Sequence, residues 1–245
     1  SQGSKGVFKC DSPDLEKLDI SFHESRGMGV LIEGFIPGEE IALECFTIDR
    51  VTHVLAFSNK THFPQNDCID KSVSFFADLD PTVEARVTEL NRTIVNAFGL
   101  VNGITHAEYK VHKGIPYLIE IAARGAGSGV SGTIIPGITG FDVNQFIIDS
   151  ALNRKSREYH GIRQSKYAYL EFMEFAPGKV KSISMKDDVA SNAEVMYLNI
   201  HKGDVIRSVS DSRDRAGMFI VIDDSIERVK EKVRALREAV EISSE

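Results

Sequence analysis

Two glutamates, Glu108 and Glu120, stand in runs that read as the two arms of a β-hairpin. The expected strands cover about Ile104–Val111 and Pro116–Ala122, joined by His112-Lys113-Gly114. A turn centred near Gly114 sets Glu108 opposite Glu120, Lys110 opposite Leu118 and His106 opposite Ala122. Side chains alternate along a strand, so the two glutamates share one face. Like charges directly opposite on a sheet are unfavourable by about 0.2–1 kcal/mol. Their neighbours Ile104, Ala107, Leu118, Ile119 and Ile121 are apolar and offer no relief. A hard divalent cation does, because carboxylate oxygens are the preferred ligands of Mg2+. The bland alternative is a solvated face on which Lys110 answers Glu108. A one-residue slip of register would separate the pair. Arg124 falls on the same alternating face, whereas His106 reads as a packed or solvent-facing strand histidine rather than a general base.

The elements that must position these residues are legible as an α+β pattern with antiparallel strand pairs. Residues 6–10 and 30–36 read as short strands, and a short helix starts at Pro13–Lys17. Glu40–Asp49 and Val54–Ser58 read as a strand pair. Asp80 caps a long helix with Pro81 at its first position, Gly99 at its end and Val83, Val87, Leu90, Ile94 and Phe98 on one face. After the hairpin, GAGSGVSG forms a glycine-rich loop without the G-K-[ST] of a P-loop. It reads as a loop passing close to substrate, or as an irregular connection to a helix at Phe141–Leu152. Strands are expected at Tyr167–Phe175, Val180–Ser184, Val195–Ile200 and Phe219–Ile222. Asp224 and Glu227 then suggest a capping box for a closing helix with Ile226, Val229, Val233, Leu236 and Val240 on one face.

Composition sets the class. The 245 residues are 42% hydrophobic and 27% charged, an ordinary globular balance. A net charge of −7 and the lack of a Lys/Arg cluster argue against nucleic acid as a partner. No run approaches the roughly 18 apolar residues that would span a membrane. Cys10, Cys45 and Cys68 are odd in number and widely spaced, so each reads as a small core residue in a reducing, cytoplasmic setting. The opening SQGSKGVFKC is polar, unlike a secretion leader, and without a Met it reads as a processed or partial chain.

Three motifs in order then give a resemblance. GITHAEYKV with GIPYLIEIAARGAGSG resembles the metal-binding core of the ATP-grasp superfamily, which carries a Glu on one strand and E-x-N-x-R on the next. Upstream, LIEGFIPGEE resembles the adenine hinge and ribose contact, and SQGSKGV resembles the flexible lid loop. The resemblance covers about residues 1–155; the remainder looks like the C-terminal extension of the carboxylate–amine ligase and carbamoyl-phosphate-synthase-like branch. It implies residues 1–32 as part of the lid, 33–155 as the core and 156–245 as the extension. The absent parts would be an N-terminal domain and a phosphate-binding lysine ahead of the lid loop.

The resemblance also implies a site. Glu108 and Glu120 would hold Mg2+. Glu33, Phe35 and Ile36 would line the adenine pocket, and Glu40 would take the ribose hydroxyls. Gly3, Ser4, Lys5 and Gly6 would cover the phosphates with backbone N–H groups, a task that suits glycine. Lys60 would contact phosphate, and Arg124 would stabilise the transferring phosphoryl group. Each also has a bland reading: Gly3 and Gly6 as a turn, Glu33 as an exposed strand residue, Glu40 as a turn acid, Lys60 as a surface lysine. One departure is Ala122, where the family has its asparagine. The implied function is ATP-dependent activation of a small carboxylate as an acyl phosphate for attack by an amine or similar nucleophile. The rivals are a bicarbonate-using enzyme of the carbamoyl-phosphate-synthase or biotin-carboxylase kind, and a non-catalytic nucleotide-binding or interaction module. The reading allows a homodimer.

Overall fold

The charged hairpin lies at one edge of a sheet that begins where Gly38 lets the chain turn. The computed structural model describes residues 2–154, 162–186 and 189–245. Five strands follow one another: β1 (Glu39–Ile48), β2 (Val51–Phe63), β3 (Asn66–Phe75), β4 (Gly103–His112) and β5 (Ile115–Ala122). They assemble in the spatial order β5-β4-β1-β2-β3, every pair antiparallel. The sheet then continues through β6 (Tyr167–Phe172), which pairs with β3. It ends in β8 (Val195–Leu198), joined to β6 by β10 (Gly217–Asp223), which makes eight strands in all. Three further strands, β7 (Gly178–Met185), β9 (Val205–Ile206) and β11 (Val240–Ser244), form a second sheet. The expected boundary between residues 155 and 156 lies outside the described residues.

Alternation along β1 decides which face does what. Ile41, Leu43 and Cys45 point to one side, where they pack with Phe57, Ala107 and Tyr109 under helix α2 (Pro81–Ala97). Asp80 caps α2 by accepting from the N–H groups of Thr82 and Val83, with Pro81 at the first position. Val87 is buried and Val83 and Leu90 are packed against the core, but Phe98 is 73% exposed because the helix has ended there. Asn91 is buried on this face instead. It accepts from the Tyr109 hydroxyl at 2.9 Å and donates to Cys45 Sγ at 3.4 Å, which explains how a polar residue sits there.

Glu40, Ala42 and Glu44 point to the other side, followed by Phe46. Helices α3 (Ile135–Thr139) and α4 (Val143–Ala151) cover Phe46, which stacks on Phe141 at 4.7 Å. The polar end of β1 is left beyond that apolar cover. In the C-terminal part, helix α5 (Ile226–Arg237) lays Val229, Val233 and Leu236 on Phe219 and Val221. Ser225, rather than Asp224, caps it by accepting from Arg228 N–H. Val240 belongs to β11, not to the helix.

Other expectations are corrected too. Residues 6–10 and 30–36 form no strand: the apolar run is there, but no strand pairs with it among the described residues, and Leu31 and Ile32 stand 79% exposed. Helix α1 (Leu15–Glu24) does form, capped by Asp14. Cys45 is buried as a core residue should be, whereas Cys10 is exposed and Cys68 half-buried.

Gly38 has a φ of +125°, a region open essentially to glycine alone, and an added Cβ would lie 2.0 Å from the Val111 carbonyl oxygen. That close approach brings Glu39 into register with Val111 and Glu40 with Lys110. Gly38→Ala should therefore lower the unfolding free energy by about 2–3 kcal/mol in chemical denaturation. A loss below about 0.5 kcal/mol would show that the β1 entrance tolerates a different path.

Candidate functional site

Four neighbouring strands place an unusual density of charge on the face left open beyond α3 and α4. β1 gives Glu40 and Glu44, β2 gives Lys60 and His62, β3 gives Asp70, and β4 gives His106, Glu108 and Lys110. Glu40 is flanked in register by Lys60 on β2 and Lys110 on β4. Ala42 is flanked by Ser58 and Glu108. These small residues leave room for Lys60 to lean across β1, where its Nζ lies 2.6 Å from Glu108 Oε1. The same ammonium is 3.1 Å from Asp70 Oδ2 and 3.4 Å from Glu40 Oε1.

The Lys60 side chain is only 5% exposed. Burial works against its charge, but the surrounding Asp70, Glu108 and Glu40 carboxylates more than offset that and raise its pKa above the ordinary lysine value. Burial likewise pushes Glu40 up, while the His62 hydrogen bond and the Lys60 charge outweigh it and hold Glu40 below its usual value. Lys110 Nζ and His62 Nε2 each lie 3.3 Å from Glu40 Oε2. Glu40, His62 and Asp70 bring ligand atoms within 4.8 Å of one another, and Lys60 already supplies a cation between the two acids.

At the next position His106 lies between two acids. Its Nδ1 meets Glu44 Oε1, and its Nε2 is 2.9 Å from Glu108 Oε1. Burial disfavours the imidazolium, but the hydrogen bonds to Glu108 and Glu44 prevail and raise its pKa to about 9. For Glu108, burial is outweighed by the His106 hydrogen bond and the Lys60 charge, which lower it to about 2. It is therefore ionised at neutral pH.

Glu108 and Glu120 are register partners, as the hairpin argument expects, but by a different route. The loop is the two-residue Lys113-Gly114, with both φ positive, and it aligns His112 with Ile115 and Lys110 with Tyr117 rather than Leu118. A bulge then leaves Ile119 without an opposite residue and moves Glu120 against Glu108. Glu120 is exposed. Lys110 does not answer Glu108, as the solvated-face alternative has it; it pairs with Glu40.

The remaining expected residues make their contacts elsewhere. Gly3 and Ser4 lie in a 3-10 turn, Gln2–Ser4, and an added Cβ on Gly3 would come within 3.1 Å of Ser212 Cβ. The Gly6 carbonyl accepts from Ser21 Oγ at 2.7 Å, and Lys5 adds its charge to the field at Asp211. Glu33, Phe35 and Ile36 lie in the irregular segment before β1, with Lys9 Nζ 4.3 Å from the centre of the Phe35 ring. Arg124, exposed just past β5, donates to the Gly125 carbonyl at 2.9 Å. The glycine-rich run after it turns into a single π-helical turn, Val130–Ile134. Gly125 packs on Ser131, and Gly129 packs on Ile220.

The structure thus joins Glu40, Lys60 and Glu108 directly, and adds Glu44, His62, Asp70, His106 and Lys110. The signal for several of these was a period of two: His106, Glu108 and Lys110 on one strand, Lys60 and His62 on another.

The five strands that carry this charged row and its hairpin, with helix α2 behind them, all lie within a stretch that matches a known family. Residues 15–132 match the ATP-grasp domain family, and residues 172–245 match the L-amino acid ligase C-terminal domain 2. Over the first of these stretches, just under half of its length, the chain resembles the ATP-grasp superfamily. It is 27% identical over 255 residues to dapdiamide A synthase from Enterobacter agglomerans, covering 97% of this chain and 59% of that protein. In fold it resembles L-amino acid ligase from Bacillus licheniformis (TM-score 0.75, 24% identity, 86% of this chain and 55% of that one). It also resembles phosphoribosylglycinamide synthetase from Anaerococcus prevotii (TM-score 0.71, 16% identity, 95% and 61%). The chain therefore spans between half and two thirds of the length of these relatives.

The His106 environment predicts a sign for the pH dependence. Its pKa of about 9 in the fold exceeds its ordinary 6.5, so its contribution to stability is complete below 6.5 and is lost as pH rises through about 9. Denaturation midpoints taken from pH 6 to 10 should fall for the native sequence and fall less for His106→Gln. Parallel curves would mean that the ring carries no extra proton in the folded state.

Proposed function

We propose that this chain carries the MgATP site of an ATP-dependent ligase that phosphorylates a small carboxylate and passes the acyl group to an amine. The observation that carries the reading is the Lys60-centred row, which gathers Glu40, Glu108 and a buried lysine on the open face of the matched ATP-grasp sheet. The match of residues 172–245 to an L-amino acid ligase domain favours an amino acid over bicarbonate as the activated acid.

The donor set suits a hard cation. Glu108 and Glu120 are oxygen ligands in register on adjacent strands, and Glu108 is held ionised, the form a metal requires. Bound there, Mg2+ would neutralise charge on the phosphate oxygens during transfer. Lys60 would trade part of its contact with the carboxylates for a phosphate oxygen. Arg124, with a planar fork suited to two oxygens, would face the transferring group. Glu40 would accept from the ribose hydroxyls, and the main chain of Glu33, Phe35 and Ile36 would meet the adenine edge. Backbone N–H groups of Gly3, Ser4, Lys5 and Gly6 would close over the phosphates, which requires Gly3 to leave Ser212. In this scheme residues 1–32 serve as part of the lid, 33–155 as the core and 156–245 as the extension, in a cytoplasmic protein that works alone or as a homodimer. No helix among the described residues is long and apolar enough to cross a membrane.

Ala122, the register partner of His106, stands where the family has an asparagine ligand, and it favours a second reading as a nucleotide-binding module without turnover. ADP release by the full-length protein separates the readings. Release that depends on an L-amino acid and an amine is expected, release on bicarbonate alone would support a carboxylase-like enzyme, and ATP binding without any release would support the module. In a second measurement, Mg2+ should tighten binding of a non-hydrolysable ATP analogue. Glu108→Ala with Glu120→Ala should abolish that gain, and its survival would remove both residues from the metal assignment.

A further inference from the structure

Glu44 has no role in the ligase reading, yet it is 3% exposed near the centre of the sheet. Both of its oxygens are engaged. Oε1 meets His106 Nδ1, and Oε2 accepts the Ala126 N–H at 3.4 Å. His106, 9% exposed and in register with Glu44, reaches on to Glu108 Oε1 through its other nitrogen. A continuous string therefore runs from the start of the glycine-rich loop through Glu44 and His106 to Glu108.

Stability alone does not call for such a string. Buried ion pairs are often matched or exceeded by apolar side chains of similar volume. Neutralising Glu108 itself does not call for it either, because Lys60 already contacts the same Glu108 oxygen. What the ring adds is direction. An ammonium on a four-carbon stem acts as a point charge, and this one is shared among three acids. A planar imidazole held at one nitrogen leaves the other aimed along a single line. Fixing Glu108 in this way removes rotamer freedom that a metal ligand would otherwise lose on binding.

We propose that Glu44, acting through His106, is a positioning residue that holds Glu108 in the orientation for a divalent cation and ties that carboxylate to the loop following Arg124. The inference rests on the proposed metal role of Glu108 and extends it. Neither Glu44 nor His106 touches the cation.

Manganese, read by electron paramagnetic resonance in the presence of ADP, tests it. ADP affinity in EDTA serves as the metal-free measurement, and circular dichroism confirms folding. Glu44→Gln should weaken Mn2+ binding about tenfold while leaving metal-free ADP affinity unchanged. In a Glu108→Gln background it should cause no further loss. His106→Gln should reproduce the effect, and it decides the matter if Glu44→Gln does not fold. Unchanged Mn2+ affinity, an equal loss in the Glu108→Gln background, or a joint loss of Mn2+ and metal-free ADP would each overturn the positioning role. Failure of the underlying reading looks different: the native protein would hold no Mn2+ with ADP, or Glu108→Gln would hold it undiminished.

Discussion

The buried ammonium of Lys60 is the interaction on which the open face depends. Glu40, Asp70 and Glu108 all lie within 3.4 Å of it. Two unit charges 4 Å apart repel by about 4 kcal/mol at the effective dielectric of a protein surface. A sheet face with these acids and no built-in cation would resist folding in the absence of ligand. Lys60, with Lys110 and the imidazolium of His106, makes the unliganded face self-consistent. The same arrangement has a cost for binding. Any cation that takes Glu108 must compete with Lys60, so metal affinity at this site is the difference between two occupied states rather than the filling of an empty one.

Geometry makes that lysine possible. Ala42 and Ser58 are small where Lys60 must cross β1, and Gly38 lets the strand enter beside the Val111 carbonyl. On the reverse face Ile41, Leu43 and Cys45 fasten the same strand to α2. One strand thus serves as core wall and charged floor at once, through nothing more than period-two alternation. The bulge at Ile119 performs a similar service at the edge, setting Glu120 against Glu108 although the two-residue turn alone would not.

These devices explain what could be read from the sequence. Asp80-Pro81, Gly99 and the apolar spacing of α2 are local signals, and they place that helix to within a few residues. The hairpin pairing of Glu108 with Glu120 was legible, but by compensation: the expected turn was off by one position and the bulge restored the register. Strand β3 was not legible because its inward residues, Ile69, Val73 and Phe75, are interrupted by Lys71 and two bulges against β2. The apolar run at residues 30–36 misled in the opposite sense, since a strand exists only with a partner. His106 looked bland because a single histidine says nothing of the two acids beside it. One of these, Glu44, is on another strand, 62 residues away in the chain.

The missing signal for β3 matters because β3 links the site to the rest of the chain. It stands between β2, which carries Lys60, and β6, which belongs to the C-terminal half. Arg215 donates to the Asp70 carbonyl at 2.9 Å and lies 3.5 Å from the centre of the Phe172 ring. Glu174 accepts from Lys71 and from Gln65, each at 2.6 Å. Residues on both sides of Asp70 are therefore braced by groups from beyond residue 171. The C-terminal half is continuous with the sheet that holds Lys60 in place, so it is part of what defines the charged row. Displacing β6 would move Asp70 away from the ammonium, leaving Lys60 to share its charge between Glu40 and Glu108 alone.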